Sequence, residues 1–166
     1  MCLTIVLKYV KVRNRTVEKE EHMSRDRIDR LYEAIRRADQ AYEVWAAAHG
    51  LTLYELQIYY EMMKNEGEAI RQKDLCKTLD APKTSINSMV KKRMQSGHFC
   101  MDVNPENKRE KIISFTSEGK KFAKELIEPL FQYEEEAAGM ISEQEMENAI
   151  RVQNQFADIL LKKVEQ

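Results

Sequence analysis

The chain has 166 residues, of which 43% are hydrophobic and 33% charged, with a formal net charge of −1. That length fits one domain, and the low counts of glycine (5) and proline (3) with 8% aromatics argue for helices and against a β-sandwich. Three cysteines without a CxxC spacing exclude a disulfide framework and fit a reducing cytoplasm, and no apolar run nears the roughly 20 residues of a membrane span.

Residues 1–23 differ in pattern from the remainder of the chain. Leu3-Thr4-Ile5-Val6-Leu7 is apolar and Tyr9-Val10-Lys11-Val12-Arg13 partly alternates, so a strand fits there. No basic start precedes the apolar stretch and no small-residue cleavage site comes after it, which argues against a signal peptide. A clean helical pattern opens at Met23-Ser24, so residues 1–23 read as an extension of the core protein.

Ile28, Leu31, Tyr32, Ile35, Ala38, Tyr42 and Trp45 recur at three- and four-residue steps. The spacing predicts an amphipathic helix over 24–50, ended by Gly50. Thr52-Leu53-Tyr54-Glu55 is a capping box opening a second helix with Leu53, Leu56, Tyr59, Tyr60 and Met63. Asn65-Glu66-Gly67 breaks it. A short helix is expected over 71–78, with Ile70, Leu75 and Leu79 as its apolar contacts. Asp80-Ala81-Pro82 is a turn, and Pro82 suits the first position of the next helix. That helix runs to Ser96 and stops at Gly97, a residue that tolerates the left-handed conformation of a helix C-terminus.

The period then changes to two. Phe99, Met101 and Val103 alternate with Cys100 and Asp102, and Ile113 and Phe115 flank Ser114. Between them Asn104-Pro105-Glu106-Asn107-Lys108-Arg109 is a strong turn signal, so a β-hairpin with a basic tip is expected. Thr116-Ser117-Glu118 caps a long helix carrying Phe122, Leu126, Ile127 and Leu130, with Pro129 as a potential kink. Ser142-Glu143-Gln144-Glu145 is a second capping box. The last helix bears Met146, Ala149, Ile150, Phe156, Ala157, Leu160, Leu161 and Val164. A small domain cannot bury so long a stripe alone.

Charge is distributed unevenly. Residues 71–111 hold ten Lys/Arg against five acids, and residues 118–147 hold nine Glu against three Lys. A basic face for a polyanion, with an acidic part kept away from it, is one reading; two unrelated solvated surfaces is the other. On the helix from Pro82, Ile86, Met89 and Val90 form an apolar face. Thr84, Ser85, Asn87, Ser88 and Lys91 lie elsewhere, with the hydroxyl, amide and ammonium groups that phosphates and base edges accept. Short helix, turn, second helix and hairpin form the order of a winged helix-turn-helix.

Arg71-Gln72-Lys73-Asp74-Leu75, Pro82-Lys83-Thr84-Ser85-Ile86-Asn87-Ser88, and the wing Asn104–Arg109 closed by Phe115-Thr116-Ser117-Glu118-Gly119 together resemble the MarR family of bacterial transcription regulators. The family's wing reads Asn/Asp-x-x-Asp-x-Arg and closes with Leu-Thr-x-x-Gly. Two positions depart from that pattern. Asn107 stands where the family has Asp, and Arg93 where it has a buried Leu, with Met94 a candidate for the missing apolar volume.

The resemblance implies a mainly α fold with a small β-hairpin wing, and N- and C-terminal dimerisation helices over 24–50 and 117–166 around a winged helix-turn-helix over 51–116. It implies a cytoplasmic homodimer that reads a pseudo-palindromic operator in double-stranded DNA, most often as a repressor. Arg109 would approach the minor groove, with Lys108 on a phosphate. The expected DNA-facing set is Lys73, Lys83, Thr84, Ser85, Asn87, Ser88, Lys91, Lys92, Lys108, Arg109 and Lys111. A small aromatic or amphipathic effector is a further implication, with Trp45, Tyr59 and Tyr60 as candidate lining; aromatics at helical spacing also read as plain core.

The residues favour no enzyme. His22, His49 and His98 are scattered, and there is no HExxH, phosphate loop or nucleophile elbow. No cofactor or metal is expected. Cys76, His98 and Cys100 are the nearest approach to a metal group, and Cys76 and Cys100 the only thiols in a basic region. A redox- or metal-responsive regulator, and a protein-interaction module that reuses the fold, are the alternatives.

Overall fold

The computed structural model describes the backbone of residues 3–67 and 69–165, and side chains from Arg25 onward. The chain divides into two compact units, Met1–Leu56 and Gln57–Gln166.

The first unit is dominated by one helix, α1 (Leu3–Ala48). It takes in the stretch for which a strand also fitted, and it passes Met23 without a break. The physical reason lies in composition: no glycine or proline occurs before Gly50, so nothing in the chain ends a helix earlier. Gly50 ends it with φ 66°, and the Leu51 amide donates to the Ala46 carbonyl at 2.9 Å. The next helix, α2 (Leu53–Lys64), opens at the expected capping box. The Thr52 amide donates to Glu55 Oε2 at 2.9 Å, and the Glu55 amide to Thr52 Oγ1 at 3.3 Å.

In the second unit the break after α2 is sharp, with Glu66 at φ 57° and Gly67 at φ 70°. Here the structure adds an element. Ile70–Arg71 is a strand, β1, and the short helix α3 (Gln72–Thr78) begins after it, one residue later than expected. Two residues are too few to display an alternating pattern. Pro82 is likewise displaced by one: it is the N-cap of α4 (Lys83–Gln95), with ψ 140°, and not its first turn. Its carbonyl accepts from the amides of Ser85 and Ile86 at 2.9 and 3.2 Å. Gly97 (φ 78°) closes α4 as expected, and the His98 amide donates back to the Arg93 carbonyl at 2.9 Å.

Strands β2 (Phe99–Val103) and β3 (Lys111–Phe115) form the hairpin, paired Phe99 with Phe115 and Met101 with Ile113. β1 joins β3 on its other edge, so the expected hairpin is a three-stranded antiparallel sheet of order β1-β3-β2. Two long helices complete the chain, α5 (Ser117–Gly139), which continues through Pro129, and α6 (Glu143–Val164). Among the described residues no helix is long and apolar enough to cross a membrane.

Tyr59 is the centre of the core that holds the sheet. Its ring, 0% exposed, lies 4.9 Å from Phe99, 6.0 Å from Phe115 and 5.3 Å from Phe122. Its hydroxyl is satisfied by His98 Nδ1 at 2.6 Å. Ile86 and Val90 from α4, Leu75 from α3 and Ile113 from β3 are fully buried as well. The wing strands are therefore fixed to the helices through aromatic packing, and α4 is fixed through one apolar face.

Two consequences are measurable. Gly119, in the first turn of α5, is buried, and a Cβ there would overlap the His98 carbonyl. Gly119→Ala is expected to lower stability by about 1–3 kcal/mol, the usual cost of overpacking, read as a lower urea midpoint at unchanged m-value; a midpoint within error of wild type contradicts the close approach. Burial holds the His98 imidazole below its ordinary pKa, the Arg93 charge adds to this, and Glu118 opposes it. The unfolded chain then takes up a proton near pH 6.5, before the native state does, so this contribution is full above about pH 6.5 and is lost as pH falls below it. The urea midpoint should drop between pH 7.5 and 5.5 in wild type and less so in His98→Gln; equal slopes contradict the assignment.

Candidate nucleic-acid interface

α4 presents two chemically distinct faces. Ile86 and Val90 are buried, one helical turn apart. Lys83, Thr84, Ser85, Ser88, Lys91 and Lys92 are exposed, and Asn87 is half-buried. The outward face thus carries hydroxyls and ammonium groups with little apolar surface between them. Lys83 and Lys91 make no ion pair among the described residues.

Arg93, at the position of a family Leu, is half-buried and its charge reaches the His98 ring. Met94 does not supply the missing apolar volume. It is 38% exposed, because it lies beyond the buried face set by Ile86 and Val90.

The wing turn is built from side chains bonded to their own backbone. Asn104 Oδ1 accepts from the Glu106 amide at 3.0 Å, and Asn107 Oδ1 accepts from the Arg109 amide at 3.2 Å. The Asn104 amide donates to the Glu110 carbonyl at 3.0 Å and closes the loop. Lys108, Arg109 and Lys111 are exposed at and beside the tip, and among the described residues none of the three is ion-paired. Asn107 therefore holds the turn through the backbone of Arg109 and leaves the guanidinium free.

Lys73 has a partner on the wing. It is exposed on α3 but ion-paired with Glu110 at the end of the wing turn. That pairing holds the Glu110 carboxyl below the usual carboxylate range, with Asn104 and Arg71 adding to the effect. In the sequence Glu110 is only one acid in a charge balance. Its partner is 37 positions away, a distance no local pattern reveals.

The three candidate effector residues have different surroundings. Tyr59 is core. Tyr60 donates its hydroxyl to Glu134 at 2.9 Å, with its ring edge-on to Phe131 at 5.0 Å. Trp45, in the first unit, lies 4.5 Å from the ring of His49. A surface cavity of about 390 Å³ is lined by Glu61, Lys64, Asn65, Ala69, Ile70, Arg71 and Asp74, and by none of these aromatics. Cys76 and Cys100 are half-buried free thiols, and Cys100 Sγ lies 3.0 Å from Ser114 Oγ. No group of three or more metal-ligating side chains is gathered among the described residues.

No family model matches the sequence. No curated protein matches it either. Solved structures do. A MarR family regulator from Neisseria meningitidis superposes with a TM-score of 0.70 at 16% identity, covering 84% of this chain and 96% of that one. AbsC, a MarR family transcriptional regulator from Streptomyces coelicolor, gives a TM-score of 0.66 at 13% identity, over 80% and 91% of the two chains. S. aureus MepR in its complex with DNA gives 0.62 at 16% identity, over 78% and 95%. The chain therefore has the winged helix-turn-helix fold of the MarR regulators, mainly helical with a small antiparallel sheet.

Proposed function

We propose that this chain is a DNA-binding transcription regulator of the MarR type. The observation that carries the reading is the wing tip, where Lys108 and Arg109 stand exposed, with no ion pair among the described residues, on a turn closed by its own side chains. Unpaired cations on a rigid hairpin suit phosphates and the minor groove. Beside the wing, α4 supplies Lys83, Thr84, Ser85, Asn87, Ser88, Lys91 and Lys92 for the major groove. The solved complex of S. aureus MepR with DNA, on the same fold, supports the DNA-binding reading.

A homodimer completes the reading. α6 has no buried residue, yet Ile150, Leu160, Leu161 and Val164 are all exposed along one side of it. An apolar helix face of that size calls for a cover, and a second copy of this chain supplies one of matching character. Two α4 helices about one DNA turn apart would then read a pseudo-palindromic site. The protein acts in the cytoplasm, as a repressor. A small aromatic or amphipathic ligand would release it by favouring a spacing of the two α4 helices that does not fit DNA.

Lys108→Ala combined with Arg109→Ala is expected to weaken binding to every duplex sequence and to reduce the salt slope by roughly 3.6 per dimer, about 0.9 for each of four lost cationic contacts; unchanged affinity removes the wing from the interface. Leu160→Glu with Leu161→Glu is expected to convert a dimer to a monomer in sedimentation equilibrium, and a dimer that survives both changes contradicts the role given to α6.

A further inference from the structure

Glu110 is bound at both carboxylate oxygens. Oε1 receives Lys73 Nζ from α3. Oε2 receives Asn104 Nδ2 at 3.3 Å, from the opposite root of the wing turn. Asn104 is itself buried, 9% exposed, and its remaining side-chain oxygen is taken by the Glu106 amide. The Glu110 side chain is only 15% exposed, although its neighbour Arg109 is on the surface. Arg71, in β1, adds attraction to Glu110 and is fixed by Asp74 at 2.6 Å.

Isolated ion pairs on a surface contribute little, because water screens them and two flexible side chains must be held. This one differs in three respects. The Glu110 side chain is partly covered, both its carboxylate oxygens are used, and it joins segments far apart in sequence. A carboxylate held at both oxygens has its position fixed by its two partners, and the turn that carries it is fixed with it.

We propose that Glu110 is the positioning residue of the wing: clamped to Lys73 and Asn104, it fixes the turn against α3 and leaves Arg109 free to enter DNA. The inference rests on the DNA-binding reading above and changes one part of it, since Lys73 becomes part of the clamp and not a phosphate contact. It also accounts for Asn107. An acid at 107 would compete for the Arg109 guanidinium; here the wing's acid comes after the arginine and is turned towards α3.

The two roles of Lys73 give opposite signs. Were Lys73 a phosphate contact masked by Glu110, Glu110→Gln would tighten DNA binding, since it removes a negative charge near a polyanion. As a positioning residue, Glu110→Gln weakens binding to a selected duplex site by about five- to tenfold, the range expected for breaking one coupled pair. Lys73→Met weakens it by a similar factor with the salt slope unchanged, whereas loss of a phosphate contact lowers the slope by about 2 per dimer. A DNA-free readout accompanies these: in a carboxyl-carbon NMR titration the Glu110 pKa rises in Lys73→Met, and amide exchange over 104–110 accelerates at an unchanged urea midpoint. Those DNA-free signals in a protein that binds no duplex would keep the clamp and refute the DNA reading. Tighter binding by Glu110→Gln, or a Glu110 titration indifferent to Lys73, overturns the clamp.

Discussion

The His98 carbonyl is where the second unit is held together. It accepts the Thr116 amide at 3.0 Å, at the point where β3 gives way to α5. Gly119 lies against it so closely that no other residue type fits without moving the backbone. One residue earlier Gly97 ends α4, and one residue later Phe99 begins the sheet. The end of α4, the start of the wing and the start of α5 are thus tied to a single peptide. Thr116 serves the same junction twice, because its hydroxyl also accepts from the Gly119 amide at 2.9 Å and caps α5. The angle between α4 and the wing is set by this packing, and so is the direction in which α5 leaves.

The Tyr59 cluster gives that junction its rigidity. Four aromatic or imidazole rings surround one phenol whose hydroxyl is bonded to His98. Burying a tyrosine without a partner for its hydroxyl is costly, so the Tyr59–His98 bond orients the ring as well as satisfying it. The cationic groups of α4 and the wing stand outside this core on short lever arms. Ile86 and Val90 are buried under α4, and Asn104 is buried under the wing.

Much of this was legible in the residue order because the signals were local. Thr52 with Glu55 and Ser142 with Glu145 are capping boxes in sequence and in structure. Gly50 and Gly97 end helices with positive φ, and Asn104–Arg109 forms the turn that its composition announces. Other features depend on partners distant in the chain. β1 is two residues long and exists only through Ile113 and Ile112 of β3. The Lys73–Glu110 pair has no local trace. Tyr59 shares its helical spacing with Tyr60 and Met63, and only packing separates the core residue from its neighbours. The extent of α1 was hidden differently, since β-branched residues near its start suggest a strand while the lack of any breaker before Gly50 permits one long helix.

Selection of binding sites from a pool of random duplex DNA tests the central claim most directly, with the wild-type protein at near-physiological salt. Enrichment of a pseudo-palindromic sequence is expected, its half-sites centred about one helical turn apart, with protection of the minor groove at its flanks. Recovery of a pool as random as the input, with affinity that varies only with salt, would contradict it.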